Sequence, residues 1–205
     1  MKFLAATTNR GKLAEIEAAL ESFPVEVIPL AFLGSCPEVF EDGKSFEENA
    51  VKKARTLADF SGYLTLADDS GLEVDALDGG PGIFSARYSG EDANDARNNE
   101  KLLQALAGLP REKRGARFVC VMALCRPITS GGEKWIFRGM CEGWIGFEPR
   151  GENGFGYDPL FFYPPLGKTF GEIDRETKGR HSHRGKALEK LKQFLPSLLR
   201  AFTNP

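Results

Sequence analysis

Two adjacent aspartates, Asp68 and Asp69, stand at the end of the apolar run Tyr63 to Ala67 and are followed by Ser70-Gly71. Neighbouring carboxylates in such a place do one of two things: they solvate a turn, or they hold a hard divalent cation through oxygen ligands. Glu41 could supply another such oxygen, although Glu41-Asp42-Gly43 is also an ordinary turn sequence. A second concentration of chemistry is Thr7-Thr8-Asn9-Arg10-Gly11-Lys12, where a first strand hands over to a first helix. Backbone N–H groups and the helix dipole favour an anion at such a junction, and phosphate is the natural one. The G-x-x-x-x-G-K-[ST] spacing of a P-loop is absent. The alternative is Asn9 as a helix N-cap with a solvated Lys12.

Asn153-Gly154-Phe155-Gly156-Tyr157-Asp158-Pro159 interleaves glycines with aromatics, which lets a ring approach a planar base closely. It reads equally as a tight turn with core aromatics. Lys178, Arg180, His181, His183, Arg184 and Lys186 form a basic cluster suited to phosphates, to base edges or to plain solvation. Between these regions, Glu48 with Lys52 and Asn49 with Lys53 are i,i+4 pairs of the kind that usually make a solvated helix face. Together the segments supply a phosphate cradle, a metal site, a ring platform and cationic donors for one small ligand.

The elements that must position these groups follow from periodicity. Residues 2–7 read as a buried strand, and Leu13, Ile16, Ala19 and Leu20 recur at helical spacing until Pro24. Ser45 and Glu48 fit a capping box, Phe46, Ala50, Ala54 and Leu57 make an apolar stripe, and Gly62 is placed to end that helix. Tyr63 to Ala67 is a strand running into an acidic turn at residues 68–71. Residues 79–82 form a loop, and Ala93 to Leu106 a helix stopped by Gly108 and Pro110. Residues 116–125 and 133–145 are β-rich and joined as a hairpin through Ser130-Gly131-Gly132. Leu188, Leu191, Leu195 and Leu198 mark a last helix with a kink at Pro196. The mixture predicts an α/β fold on a mixed sheet.

A chain of 205 residues, 41% hydrophobic, can bury roughly two thirds of its unfolded surface, so a single domain over 1–205 is expected. With 27 basic and 29 acidic residues and no block of like charge, a nucleic acid is not an expected partner. Cys36, Cys120, Cys125 and Cys141 form no C-x-x-C pair and have only two histidines for company, which predicts four buried, reduced thiols. No run of about 18 apolar residues occurs, so no membrane is expected. The N-terminus is too short in apolar residues for a signal peptide, which makes the cytoplasm the default compartment.

Six blocks carry a family resemblance. They are Ala6 to Lys12, Phe46-Glu47-Glu48-Asn49-Ala50, Leu66 to Leu72, Pro81 to Tyr88, Gly154 to Pro159, and Ser182-His183-Arg184-Gly185-Lys186-Ala187. In this order they resemble the inosine triphosphate pyrophosphatase family, also called non-canonical purine NTP pyrophosphatases. The resemblance implies a two-lobed α/β protein with a long mixed β-sheet flanked by helices, a nucleotide cleft between the lobes, and a homodimer. It implies hydrolysis of ITP, dITP and XTP at the α-phosphorus, giving the monophosphate and diphosphate with Mg2+ as cofactor. Asp69 falls on the family's catalytic acid and metal ligand, and Glu41 on the other magnesium carboxylate. The sequence leaves open whether Asp69 or Asp68 takes the proton. Thr7, Thr8, Asn9, Arg10, Gly11 and Lys12 become the phosphate loop, joined by Lys53 and Lys178, while Ser70 contacts the nucleotide. Phe155, Gly156, Tyr157 and Asp158, with His183 and Arg184, hold the base, and Arg184 would donate to a 6-oxo group. Two rivals are a nucleotide-binding regulator without turnover and a pyrophosphatase acting on modified pyrimidine nucleotides.

Overall fold

The structure is a computed structural model and describes residues 1–90 and 92–203. In chain order the main elements are β1 (Lys2–Ala5), α1 (Arg10–Leu20), β2 (Glu26–Pro29), α2 (Phe46–Ser61), β3 (Leu64–Val74) and α3 (Asp95–Ala105). They continue with β4 (Gly115–Cys125), β5 (Lys134–Ile145), β6 (Phe161–Tyr163), β7 (Lys168–Thr169), α4 (Arg175–His181) and α5 (His183–Thr203). The strands form one sheet in the order β2-β1-β3-β4-β5-β6-β7. β1 pairs in parallel with both β2 and β3, whereas β6 pairs antiparallel with β5 and β7. This is the mixed α/β sheet flanked by helices that the sequence predicts.

Local signals set the element boundaries. Ser45 Oγ accepts from the Glu48 N–H at the start of α2, while Glu48 Oε2 reaches the Lys44 N–H, one residue before the expected capping-box partner. Gly62 ends the helix at φ 73°, its N–H donating to the Ala58 carbonyl. α5 carries Leu188, Leu191, Leu195 and Leu198 into a core and continues through Pro196 to Thr203. The Arg126 N–H donates to the Glu133 carbonyl, 2.9 Å, and closes the connection between the neighbouring strands β4 and β5.

One expectation is overturned at the centre of the sheet. Asp68-Asp69-Ser70-Gly71 does not turn; β3 runs through it to Val74. Asp and Gly favour turns through local backbone preferences. β3, however, lies between β1 and β4 in the sheet order, with Leu64 to Leu66 paired to β1, and continuing that strand with partners for both carboxylates outweighs that preference.

The chain forms two compact units. The first comprises Met1–Asp69, Cys120–Gly139 and the segment from Arg184 onward, with a core that includes Phe3, Ile16, Leu66, Met122, Leu188 and Leu191. The second comprises Ser70–Val119 and Met140–His183, and its core includes Leu72, Leu102, Tyr157, Phe161 and Phe170. Cys120, Cys125 and Cys141 are buried and free, but Cys36 is half-buried, so three rather than four thiols are buried. Among the described residues no helix is long and apolar enough to cross a membrane.

Candidate functional site

Successive residues of a strand face opposite ways, so Asp68 and Asp69 meet different surroundings within the first unit. Asp68 is closed off from solvent and encircled by donors. Lys12 Nζ lies 2.5 Å from Oδ1, Arg184 Nε 3.0 Å from Oδ2 and Nη2 3.3 Å from Oδ1, and the Cys120 thiol donates to Oδ2 at 2.9 Å. Burial by itself would raise this acid; Arg184 and Lys12 outweigh it and hold the carboxyl well below the usual range. Burial and the Asp68 charge push the Cys120 thiol up, which keeps it a donor.

Asp69 is the opposite case. It is 5% exposed, and Oδ2 accepts from Asn49 Nδ2 at 3.0 Å. Burial pushes its pKa up to about 6; the Asn49 hydrogen bond opposes this, the Glu41 charge adds to it, and Lys12 and Lys53 oppose it. Two adjacent carboxyls are thus driven apart, the pattern by which a site separates an anchor from a proton acceptor.

Glu41 is half-buried and ion-paired with Lys53. The expected i,i+4 contacts on α2 give way to partners outside the helix. Lys52 reaches Asp42 at 2.6 Å, Lys53 reaches Glu41, and the fully buried Asn49 serves both Asp69 and the Gly43 N–H, 2.8 Å from Oδ1. A Cβ at Gly43 would sit 2.6 Å from Asn49 Oδ1 and 2.8 Å from Glu48 Cβ, so glycine permits this approach of the acidic segment to α2. Asn49 is the site residue that the periodicity reading passed over. Its signal was an amide within the apolar stripe of α2.

Among the described residues no three His, Cys, Asp or Glu side chains gather as a metal cage. Asp69 and Glu41 nevertheless present hard carboxylate oxygens, and the charge of Glu41 disfavours ionised Asp69. A divalent cation would relieve that repulsion. Two carboxylates completed by water and phosphate oxygens is the ligand set that Mg2+ favours.

In the loop before α1, Thr7 Oγ1 accepts from the Asn9 N–H and Asn9 Oδ1 from the Lys12 N–H. Asn9 is therefore an N-cap. Capping with one amide is compatible with anion binding, because a helix N-terminus leaves several N–H groups without intrahelical partners. Thr8 and Arg10 are exposed, while Gly11 and Lys12 are half-buried at the first turn. Glu15, one turn farther along, accepts from Arg184 Nη1 at 2.8 Å and was not singled out from the sequence.

The glycine-aromatic loop belongs to the second unit. Asp158 Oδ2 accepts from the Phe155 N–H at 2.8 Å and pairs with Lys178. The Lys178 ammonium stands 4.5 Å from the Phe155 ring centroid. Tyr157 faces the core and donates its hydroxyl to the Ser85 carbonyl, 2.9 Å. His183 stacks on Phe118 with ring centroids 4.6 Å apart. Ser70 is half-buried next to Asp69 in β3.

Within the protein, Lys178 is a buried partner of Asp158, Tyr157 and Asp158 hold backbone groups of the second unit, and Arg184 directs Nε, Nη1 and Nη2 at Asp68 and Glu15. A buried cation is stable only with its counter-charge, and here the counter-charge is supplied by the protein.

The family model described as Ham1 family matches residues 3–194. A dITP/XTP pyrophosphatase of Syntrophobacter fumaroxidans is 55% identical over 195 residues, covering 95% of this chain and 82% of the relative. The dITP/XTP pyrophosphatase of Geobacter sulfurreducens is 52% identical over 194 residues, covering 95% and 96%. The solved structure of a HAM1 protein from Coxiella burnetii matches with a TM-score of 0.87 at 42% identity, covering 96% of this chain and 99% of that one.

Proposed function

The chain belongs to the Ham1 family, and from that membership we propose that the Asp69 centre carries out its reaction, the hydrolysis of non-canonical purine nucleoside triphosphates. The enzyme is a nucleoside triphosphate pyrophosphatase. Water adds at the α-phosphorus of ITP, dITP or XTP, and the products are the nucleoside monophosphate and diphosphate.

The observation that carries the assignment is Asp69, a buried carboxyl with its pKa pushed up to about 6 and oriented by Asn49. Such a group takes a proton from an attacking water more readily than an ordinary aspartate does. Asp68 is the poorer candidate, since Arg184 and Lys12 hold it ionised, and we assign it to anchoring. Lys53 and Lys12 border the acceptor within the same unit and would move from carboxylate to phosphate oxygens as substrate enters. The N-terminus of α1, with Thr7, Thr8, Asn9, Arg10 and Gly11, receives a phosphoryl group. Asp69 and Glu41 would hold Mg2+. When bound, the cation neutralises the triphosphate and the departing diphosphate.

Ser70 contacts the nucleotide, and Phe155 with Gly156 forms the platform for the base, supported from beneath by Lys178, Asp158 and Tyr157. His183, stacked on Phe118, belongs to the same unit as that platform. One functional domain over 1–205, a cytoplasmic location and a homodimer complete this reading. The family match over residues 3–194 supports the first, and sedimentation of the pure protein tests the last.

The test is to incubate pure protein with ITP and Mg2+ and assay diphosphate against orthophosphate, then compare kcat/KM for ITP, XTP, GTP and ATP. Diphosphate release with ITP and XTP well ahead of ATP is expected. Orthophosphate as the first product, or ATP matching ITP, overturns the assignment.

A further inference from the structure

Phe155 lies between two glycines that turn through the left-handed region, Gly154 at φ 78° and Gly156 at φ 63°. Glycine has the most backbone freedom to lose on ordering, so the direction of the ring depends on what holds its neighbouring peptide groups. Asp158, from within the loop, takes the Phe155 N–H. The next residue is held from outside. The Gly156 N–H donates to Asp95 Oδ2 at 2.6 Å, and its carbonyl accepts from Asn99 Nδ2 at 3.0 Å.

Asp95 and Asn99 are four residues apart in α3, so one face of the helix grips both polar groups of a single glycine. That helix is itself well anchored. Asn94 caps it by accepting from the Arg97 N–H. Asn98, 3% exposed, donates to the carbonyls of Ser85 and Ala86 and accepts from the Ser89 N–H. An acid in a first helical turn favours the helix dipole wherever it points, which does not account for the bond to Gly156. Asn99 Oδ1 is buried without a hydrogen-bond partner, a cost that persists when the other end of the side chain is needed.

We propose that Asp95 and Asn99 are positioning residues for base recognition, fixing Gly156 so that the Phe155 ring is presented to the purine. The inference rests on the reading of Phe155 as the base platform. Neither residue touches a reacting atom, so their loss should weaken substrate binding without slowing the bound substrate.

The test compares the native protein with Asp95→Ala/Asn99→Ala, Asp95→Asn and Asn99→Asp. It measures kcat and KM for ITP, the melting temperature, and inhibition by inorganic triphosphate, which has no base. In the double variant KM for ITP should rise about tenfold, with kcat within about twofold and the triphosphate inhibition constant unchanged. Asp95→Asn keeps an acceptor oxygen and should recover most of the native KM. Asn99→Asp sets a carboxylate against the Gly156 carbonyl at nearly constant volume and should raise KM even if the double variant does not fold. An unchanged KM, or a triphosphate inhibition constant that rises in parallel, overturns the inference while the activity stands. A native protein inactive on ITP overturns the activity and this inference with it.

Discussion

Arg184 Nε lies 3.0 Å from Asp68 Oδ2, across 116 positions of sequence. The contact joins β3 to α5, and Lys12 and Glu15 extend it into a network of two cations and two anions. A buried charge group of this kind is tolerated because each member finds a counter-charge in good geometry. It also leaves Asp69, the next residue in β3, as the carboxyl whose ionisation the fold disfavours.

Arg184→Ala leaves the buried Asp68 with Lys12 alone of its two cations and takes Arg184 from Glu15 as well. Breaking one partner of a buried pair costs about 3–5 kcal/mol, so urea unfolding at neutral pH should show a loss of that order. The preference for ITP over ATP in the remaining folded protein should be unchanged, because the guanidinium faces carboxylates. A loss below about 1 kcal/mol, or a collapsed ITP to ATP ratio in well-folded protein, would return Arg184 to the base.

Asp69→Asn should separate activity from stability. A missing general base lowers kcat by at least about 100-fold. For stability, the fold raises the Asp69 pKa from 3.8 to about 6, so the folded state binds more protons than the unfolded one between those values. Stability is therefore lost as pH rises through this window. Asn removes the penalty. In metal-free buffer the variant should exceed the native protein by up to about 3 kcal/mol above pH 6, and the gap should close near pH 4. A variant less stable than native at pH 8 contradicts the raised acid.

Lys53→Ala and Lys12→Ala each remove a cation beside Asp69. Hydrogen bonds to charged groups contribute about 1.5–3 kcal/mol, so kcat/KM for ITP should fall roughly 10- to 100-fold in each. Lys52→Ala is the control, since its pair with Asp42 is exposed and its loss should leave kinetics within about twofold.

Removing divalent cations with a chelator should abolish turnover, and Mg2+ should restore it. Glu41→Gln takes away one of the two carboxylates assigned to the ion, and its Mg2+ activation curve should shift to at least about tenfold higher concentration. Equal curves for the two proteins would place the ion elsewhere.

The sequence by itself determined what is local. Ser45 and Gly62 bound α2 because capping and left-handed termination involve atoms only a few residues apart, and the leucine stripe of α5 follows from helical period. The roles of Glu41 and Asp69 were named through the family resemblance, since nothing local separates them from turn acids. Tertiary structure decided the rest. Whether Asp68-Asp69 turns or stays in a strand depended on the sheet that β3 joins, and which carboxyl is ionised depended on Arg184, Lys12 and Asn49. The positions of Lys178, Tyr157, Asp95 and Asn99 were equally hidden. A side chain's partner, and with it a pKa, is set by charges and dipoles within a few ångströms in space, and the Glu15 to Arg184 contact spans 169 positions along the chain.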